Sequence, residues 1–327
     1  MFYAIRHLTR FRYNRPVSQS VMEVRMHPRT EGPQRSFTFR LSINPRARVF
    51  WFHDHLGNQV HHFDLPQRHR ELSIVADALV SVDDPPALPA ALPEHAWADL
   101  ATTIAGGDYW EMLTPSHFAR PSPLLDDLMR ELDVDAPRGR DPLTLVRHVN
   151  DGIYRAFAYV RKSTAVNSPI EASLESRQGV CQDFAHVTIA AVRALGIPCR
   201  YVSGYLYHGR EDHDRSGEGA THAWIEALLP GLGWVGFDPT NDLIAGGRHI
   251  RTAVGRDYAD VPPTVGTMKG RAETELQVRV RVVPSQSLLP ADDDFDADEE
   301  WSLFLEDDPD AQAAYELQQR QQQQQQQ

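Results

Sequence analysis

Residues 176–195 read SRQGVCQDFAHVTIAAVRAL, and GIPCR follows as residues 196–200. Val180, Phe184, Val187, Ala191 and Leu195 recur at the spacing of one helix face. Gly196 and then Pro198 stop the run. The pattern predicts a helix over residues 181–195 with a cysteine, Cys181, in its first turn. A helix N-terminus carries partial positive charge and free N–H groups, and both favour thiolate over thiol. Gly179 allows a close backbone approach just before the helix. Asp183, in the first turn, complements the helix dipole and can cap N–H groups.

Strand-like segments follow at residues 200–207, 221–229 and 234–238, and a late one at 276–283. Alternation puts His222, Trp224 and Glu226 on one face of their strand and Ala223, Ile225 and Ala227 on the other. Asp238 ends the next strand, and Gly231 and Gly233 supply a turn between the two. Such a hairpin brings His222 and Asp238 onto one face. A carboxylate would then hold one imidazole nitrogen while the other faces Cys181, giving nucleophile, base and orienter. The backbone N–H of Cys181 is one natural oxyanion donor, and Gln178 is a side-chain candidate for the second. Trp224 either walls the pocket or fills core, with core the expectation. His186 lies off the face of Cys181 and reads as structural. Cys199, between Pro198 and Arg200, reads as a buried hydrophobe.

Upstream of residue 94 the pattern is different. Tyr3, Ile5, His7, Thr9, Phe11 and Tyr13 alternate along one face, and Phe37, Phe39, Leu41 and Ile43 along another. Asp54 to Asn58 supply turn chemistry between residues 49–53 and 59–63. This predicts a small antiparallel β domain over residues 1–82, a sandwich. Four prolines mark residues 83–93 as a linker. Helical patterns at 94–104, 122–131 and 141–159 follow, the last with Asp141 as N-cap and Pro142 at the first helical position. One helix followed by several strands makes residues 94–285 an α+β catalytic domain with an antiparallel sheet. Residues 286–327 read as an acidic, Gln-rich disordered tail, in which Trp301, Leu303, Phe304 and Leu305 form a possible docking motif.

Four ordered stretches, SRQGVCQDFAH, GIPCRYVSGYL, THAWIE and GWVGFDPTN, resemble the bacterial transglutaminase-like superfamily. So does RDYADVPP at residues 256–263, and the β-rich N-terminus resembles the N-terminal domain of its bacterial members. The resemblance covers most of residues 1–285. It implies a papain-like cysteine-peptidase core, with Cys181 as nucleophile, His222 as base and Asp238 as orienter. The implied chemistry is acyl transfer from an amide through a thioester, to water or to an amine. Hydrolysis of a peptide or isopeptide bond is the less demanding outcome, because transamidation also needs a water-poor site with an amine channel. A non-catalytic peptide-binding scaffold would have no need of all three residues.

Composition bounds the rest. The 327 residues carry 33 basic and 45 acidic side chains, a net charge of −12. Eleven acidic residues and no basic ones fall within 291–311, so the remainder sits near −1. No basic face suggests nucleic acid, and no apolar run suggests a membrane span. The arginine-interrupted N-terminus does not read as a signal peptide, and two cysteines imply no disulfide framework, so a cytoplasmic location is expected. A Cys181–Cys199 disulfide would abolish the nucleophile. Only Lys162 and Lys269 are lysines, which makes the chain a poor amine acceptor for its own kind. No cofactor is expected. His53, His55, His61 and His62 with Asp54 form a rival metal cluster, but the stretch is better explained as a turn flanked by surface histidines. The expected partners are a protein or peptide substrate and a protein bound by the N-terminal β domain.

Overall fold

The computed structural model describes residues 1–134, 139–161, 163–209, 212–217 and 219–285. The acidic tail predicted at 286–327 lies outside them.

Six strands come first: β1 (Phe2–Val17), β2 (Gln19–Val24), β3 (Gln34–Asn44), β4 (Val49–His53), β5 (Gln59–Leu65) and β6 (His69–Val82). Helices α1 (Ala96–Ala105), α2 (Pro123–Glu131) and α3 (Pro142–Ala156) follow. The short β7 (Ala158–Tyr159), α4 (Ile170–Ser176) and β8 (Gln178–Gly179) lead into α5 (Cys181–Ala194). The chain then forms β9 (Cys199–Leu206), β10 (His222–Leu229), β11 (Gly233–Asp238), β12 (Leu243–Ile244) and β13 (His249–Gly255). It ends with β14 (Thr264–Lys269) and β15 (Thr274–Ser285).

The N-terminal strands build a sandwich of two four-stranded sheets, ordered β15-β1-β6-β3 and β14-β2-β5-β4. Phe11, Leu72 and Leu276 from one sheet meet Met22, Phe63 and Leu65 from the other in a single buried cluster. All six residues of the alternating set Tyr3 to Tyr13 are buried. Phe37 departs from its expected face. The register slips between Ser36 and Thr38, so Phe37 is the extra residue of a bulge and turns outward, while Phe39, Leu41 and Ile43 stay inward. The late strand at 276–283, expected with the catalytic segment, pairs instead with β1 across twelve positions from Phe2↔Ser285 to Tyr13↔Thr274. β14 likewise pairs with β2.

Strands β9 to β13 form one antiparallel sheet, β12-β11-β10-β9-β13, and β7 and β8 a two-stranded parallel one. α5 packs on β10 and β9, and Ala223, Ile225 and Ala227 of β10 share its core with Phe184, Val187 and Ala191. The opposite face of β10 carries His222, Trp224 and Glu226, in agreement with the sequence parity. α3 is capped as predicted: Asp141 accepts from the N–H groups of Leu143 and Thr144. It ends at Ala156, three residues early, because Phe157 is extended and β7 begins.

β13 is an edge strand, and two side-chain amides of the sandwich cover its backbone. Gln34 bonds the N–H and C=O of Arg251, both at 2.8 Å. Asn58 does the same for Val254, again at 2.8 Å. Beside them, Arg200 joins Glu226 (2.7 Å) to Glu31 (3.2 Å), and Arg251 adds a second contact to Glu226. Covering an edge with fixed amides removes a template for unwanted pairing. It also fixes the five-stranded sheet against the sandwich.

Candidate active site

Cys181 is the first residue of α5 and is partly exposed. In that position its N–H has no acceptor behind it in the helix. The turn before it is held by Asp183, whose carboxylate accepts from Val180 N–H (2.9 Å) and Thr164 Oγ1 (2.6 Å). This is the backward half of a capping box. Burial pushes Asp183 up to about 6, and those two hydrogen bonds only partly offset it. Gly179 has to be glycine for steric reasons. A Cβ there would lie 2.7 Å from Asp183 Cβ and 3.0 Å from its Oδ2. β7 pairs in parallel with β8, placing Tyr159 beside Gly179, and Val160 N–H donates to the Gly179 carbonyl at 2.9 Å.

His222 opens β10, and Asp238 closes β11. The β10–β11 register ends at Ile225↔Phe237. Asp238 therefore stands opposite Trp224 and reaches His222 diagonally, rather than side by side as the hairpin reading implied. The His222 Nε2–Asp238 Oδ2 distance is 2.7 Å, and both side chains are buried. Four further groups donate to Asp238: Thr240 N–H (3.0 Å), Asn241 N–H (3.3 Å), Asn241 Nδ2 (2.8 Å) and His249 Nε2 (3.2 Å). His222 and these donors hold the carboxyl well below the usual carboxylate range despite its burial. Burial alone would lower the His222 pKa. The charge and hydrogen bond of Asp238, with a smaller contribution from Cys181, reverse that and push it up to about 10. Nδ1 of His222 is buried and has no hydrogen-bond partner among the described residues.

Trp224 fills core behind the histidines. It is fully buried, stacks on His222 (6.0 Å, 25°) and meets His249 edge-on (5.2 Å, 72°). Gly204 makes room for its indole: a Cβ there would lie 2.7 Å from Trp224 Cη2 and 2.1 Å from the Ile250 carbonyl oxygen.

His249 and Asn241 belong to the site, yet the sequence reading did not single them out. Asn241 follows Asp238 in the DPTN stretch and is fixed by Arg215 N–H (2.8 Å) and Ser216 Oγ (3.0 Å). His249 comes from a strand whose order in the sheet no local pattern reveals. Among the described residues, His222, Asp238 and His249 form the single group whose donor atoms lie close enough to suggest a metal, within 4.8 Å of one another. The hydrogen bonds fit a proton network better. His249 Nδ1 accepts from Gly246 N–H (3.3 Å), which assigns its proton to Nε2, and a protonated nitrogen offers no lone pair to an ion.

Gln178 is exposed on β8. Cys199 is fully buried, burial pushes its thiol up to about 12, and it is free, as is Cys181. His186 stacks on Phe118 (5.1 Å, 9°) and accepts from Tyr258 N–H, and burial lowers it to about 4. Its role is structural. Of the rival cluster, His53 and His55 are exposed and His61 is buried against His27 and Phe39. Among the described residues these histidines do not converge as ligands. Among the described residues, no helix is long and apolar enough to cross a membrane.

Residues 3–81 match the bacterial transglutaminase-like N-terminal region, and residues 134–239 match the transglutaminase-like superfamily. An uncharacterized protein of Mycobacterium tuberculosis is 35% identical over 306 residues, covering 86% of this chain and 92% of the relative. An uncharacterized Mycobacterium leprae protein is 31% identical over 277 residues, covering 84% and 96%. A protein-glutamine gamma-glutamyltransferase of Pseudomonas aeruginosa is 32% identical over 94 residues, which is 27% of this chain and 14% of that protein. The fold is shared with a candidate cysteine protease of Cytophaga hutchinsonii. Its TM-score is 0.66 at 23% identity, over 89% of this chain and 93% of that one.

Proposed function

The chain belongs to the transglutaminase-like superfamily, and from that premise we propose a cysteine-dependent amide acyl transfer through a thioester at Cys181, with water as the acceptor. One observation carries this reading. His222 gives one ring nitrogen to a carboxylate that accepts five hydrogen bonds and keeps the other buried without a partner, while Cys181, at a helix N-terminus, adds to the upward shift of its pKa.

The steps follow from that geometry. The Cys181 sulfur attacks the amide carbonyl carbon, and the developing oxyanion takes the Cys181 N–H as its first donor. The C–N bond breaks as the imidazolium passes its Nδ1 proton to the leaving amine. The sulfur is now a neutral thioester, so the Cys181 contribution that helped hold the imidazole proton is gone. The ring can then take a proton from water at Nδ1 while the water oxygen bonds to the acyl carbon. The C–S bond breaks, the acid leaves and the thiolate–imidazolium pair is restored. Asp238 stays ionised throughout, and its place is to fix the ring and balance its charge. Transamidation shares every step up to the thioester and differs only in the acceptor. Hydrolysis needs no amine channel, which is why water is preferred.

The test is turnover of a glutaminyl peptide in 18O-water, with and without a primary amine, read by mass spectrometry for the wild type and Cys181→Ser. The expected result is one 18O in the product carboxylate, absent in the variant. Amine incorporation outrunning 18O would replace hydrolysis by transamidation. If a broad set of peptides yields neither product nor a trapped thioester, the catalytic reading fails and a peptide-binding scaffold stands in its place.

A further inference from the structure

β4 stands at the end of its sheet, in the order β14-β2-β5-β4, so one side of its backbone is unpaired among the described residues. It also carries three consecutive large apolar side chains in solvent: Phe50 is 53% exposed, Trp51 61% and Phe52 44%. Natural edge strands are usually blunted with charge, proline or a bulge. A bare aromatic edge of this kind marks a surface that something covers. β3, joined to β4 by four residues, is the edge of the opposing sheet and adds Phe37, 47% exposed.

The charge around this edge is mainly positive. Between Glu31 and Asp54 there are four arginines, Arg35, Arg40, Arg46 and Arg48, and no acidic residue. Arg40 is shared with Asp77, and Arg48 lies over the Phe50 ring at 4.8 Å. A groove of about 330 Å3 runs beside the strand, lined by Arg46, Arg48, Phe50 and His62, with Asp64 as its acidic member.

The complementary segment lies in the same chain. Residues 291–311 hold eleven acidic side chains, no basic ones, and Phe295, Trp301, Leu303, Phe304 and Leu305 among them. We propose that this acidic, aromatic tail segment docks along the β4 edge, its carboxylates facing Arg46 and Arg48 and its apolar residues covering Phe50 to Phe52. Reach is sufficient. The described chain ends at Ser285, paired with Phe2 in the β15 edge. Ser285 is level with Arg35 at the start of β3, whereas β4 follows the far end of β3, so the path to β4 adds about six residues of strand rise to three strand spacings and one sheet spacing, roughly 27 Å in all. The sixteen residues from 286 to 301 span about 50 Å when extended. An added strand of this kind takes affinity from backbone pairing and selectivity from the alternate side chains. The covered edge is also withheld from other copies of the chain.

Hydrogen–deuterium exchange on the full chain tests this. Three proteins are compared: wild type, a variant with the eleven acidic residues of 291–311 changed to Asn or Gln, and Arg46→Glu with Arg48→Glu. Amides of β1 and β6 serve as the internal measure of folding. The expected result is exchange of the β4 amides at least tenfold slower in the wild type than in either variant. That protection should weaken between 0.05 and 0.5 M salt and should not change with protein concentration. Equal exchange in all three proteins overturns the proposal. Protection that grows with protein concentration overturns it too, since the occupant would then be a second copy.

Discussion

Gly179→Ala isolates the role of the turn before the nucleophile. The new Cβ would meet Asp183 Cβ at 2.7 Å, Oδ2 at 3.0 Å and Cγ at 3.1 Å. Carbon atoms rest at about 3.5–4.0 Å, so the two residues must part by roughly an ångström. Asp183 cannot yield by that much and keep its bonds to Val180 N–H (2.9 Å) and Thr164 Oγ1 (2.6 Å). The loss of the cap costs about 0.5–2 kcal/mol and overpacking a further 1–3 kcal/mol, so about 1.5–5 kcal/mol in total is expected. Urea unfolding reads the stability, and iodoacetamide labelling of native protein reads Cys181, which should react several-fold more slowly as the helix start shifts. The Asp183→Gly background supplies the control, because it removes the carbon that the new methyl would strike. There Gly179→Ala should cost well under 1 kcal/mol. A wild-type-like Gly179→Ala, within 0.5 kcal/mol, or an equal loss in both backgrounds, refutes the steric reasoning.

Three further outcomes are expected. His222→Ala should slow Cys181 alkylation at neutral pH at least tenfold while leaving Cys199 inert, as peptide mass spectrometry of both cysteines will show; equal rates would separate the thiol from the imidazole. Because the His222 pKa is raised to about 10, the stability it contributes is fully present below its unfolded value near 6.5 and is lost as pH rises through about 10. Thermal unfolding should therefore show an alkaline decline that His222→Ala lacks. His249→Ala removes one of five donors to Asp238 and should cost about 1.5–3 kcal/mol, lowering kcat/KM without abolishing turnover; His249→Asn, which restores a donor, should recover part of both. For Asp183 the sign is opposite to that of a paired carboxylate. Its folded pKa is raised to about 6 by burial, so wild-type stability falls as pH rises from about 4 to 6 and is level above. Asp183→Asn keeps an acceptor but has no titration, so its Tm should gain on the wild type across that window; parallel Tm curves would contradict the burial argument.

The sequence carried the helix of Cys181 and the faces of β10 because both follow from short periods within one element. The place of Cys181 at the helix start and the nearness of His222 to Asp238 were legible for the same reason, together with the resemblance. His249 was not. Its place beside Asp238 depends on β13 pairing with β9 on the far side of β10, and such strand order is set by long-range contacts. The outward turn of Phe37 was hidden as well, because a bulge inserts one residue without changing local composition. The return of β15 to β1 was unreadable from its alternation, which says that a strand has one buried face but not which sheet it joins.

That return has a bearing on how the protein comes into being. β1 lies between β6 and β15, while β2 lies between β5 and β14. As the chain is synthesised, each sheet of the sandwich waits one strand short until residues 264–285 have emerged. The whole helical and five-stranded layer is made in the interval. Closure across some 270 residues is slow relative to local pairing. The final two strands therefore act as a latch on biogenesis. Until they close, β1 and β2 expose open edges to chaperones and to neighbouring nascent chains, and proteolysis of stalled molecules should begin there.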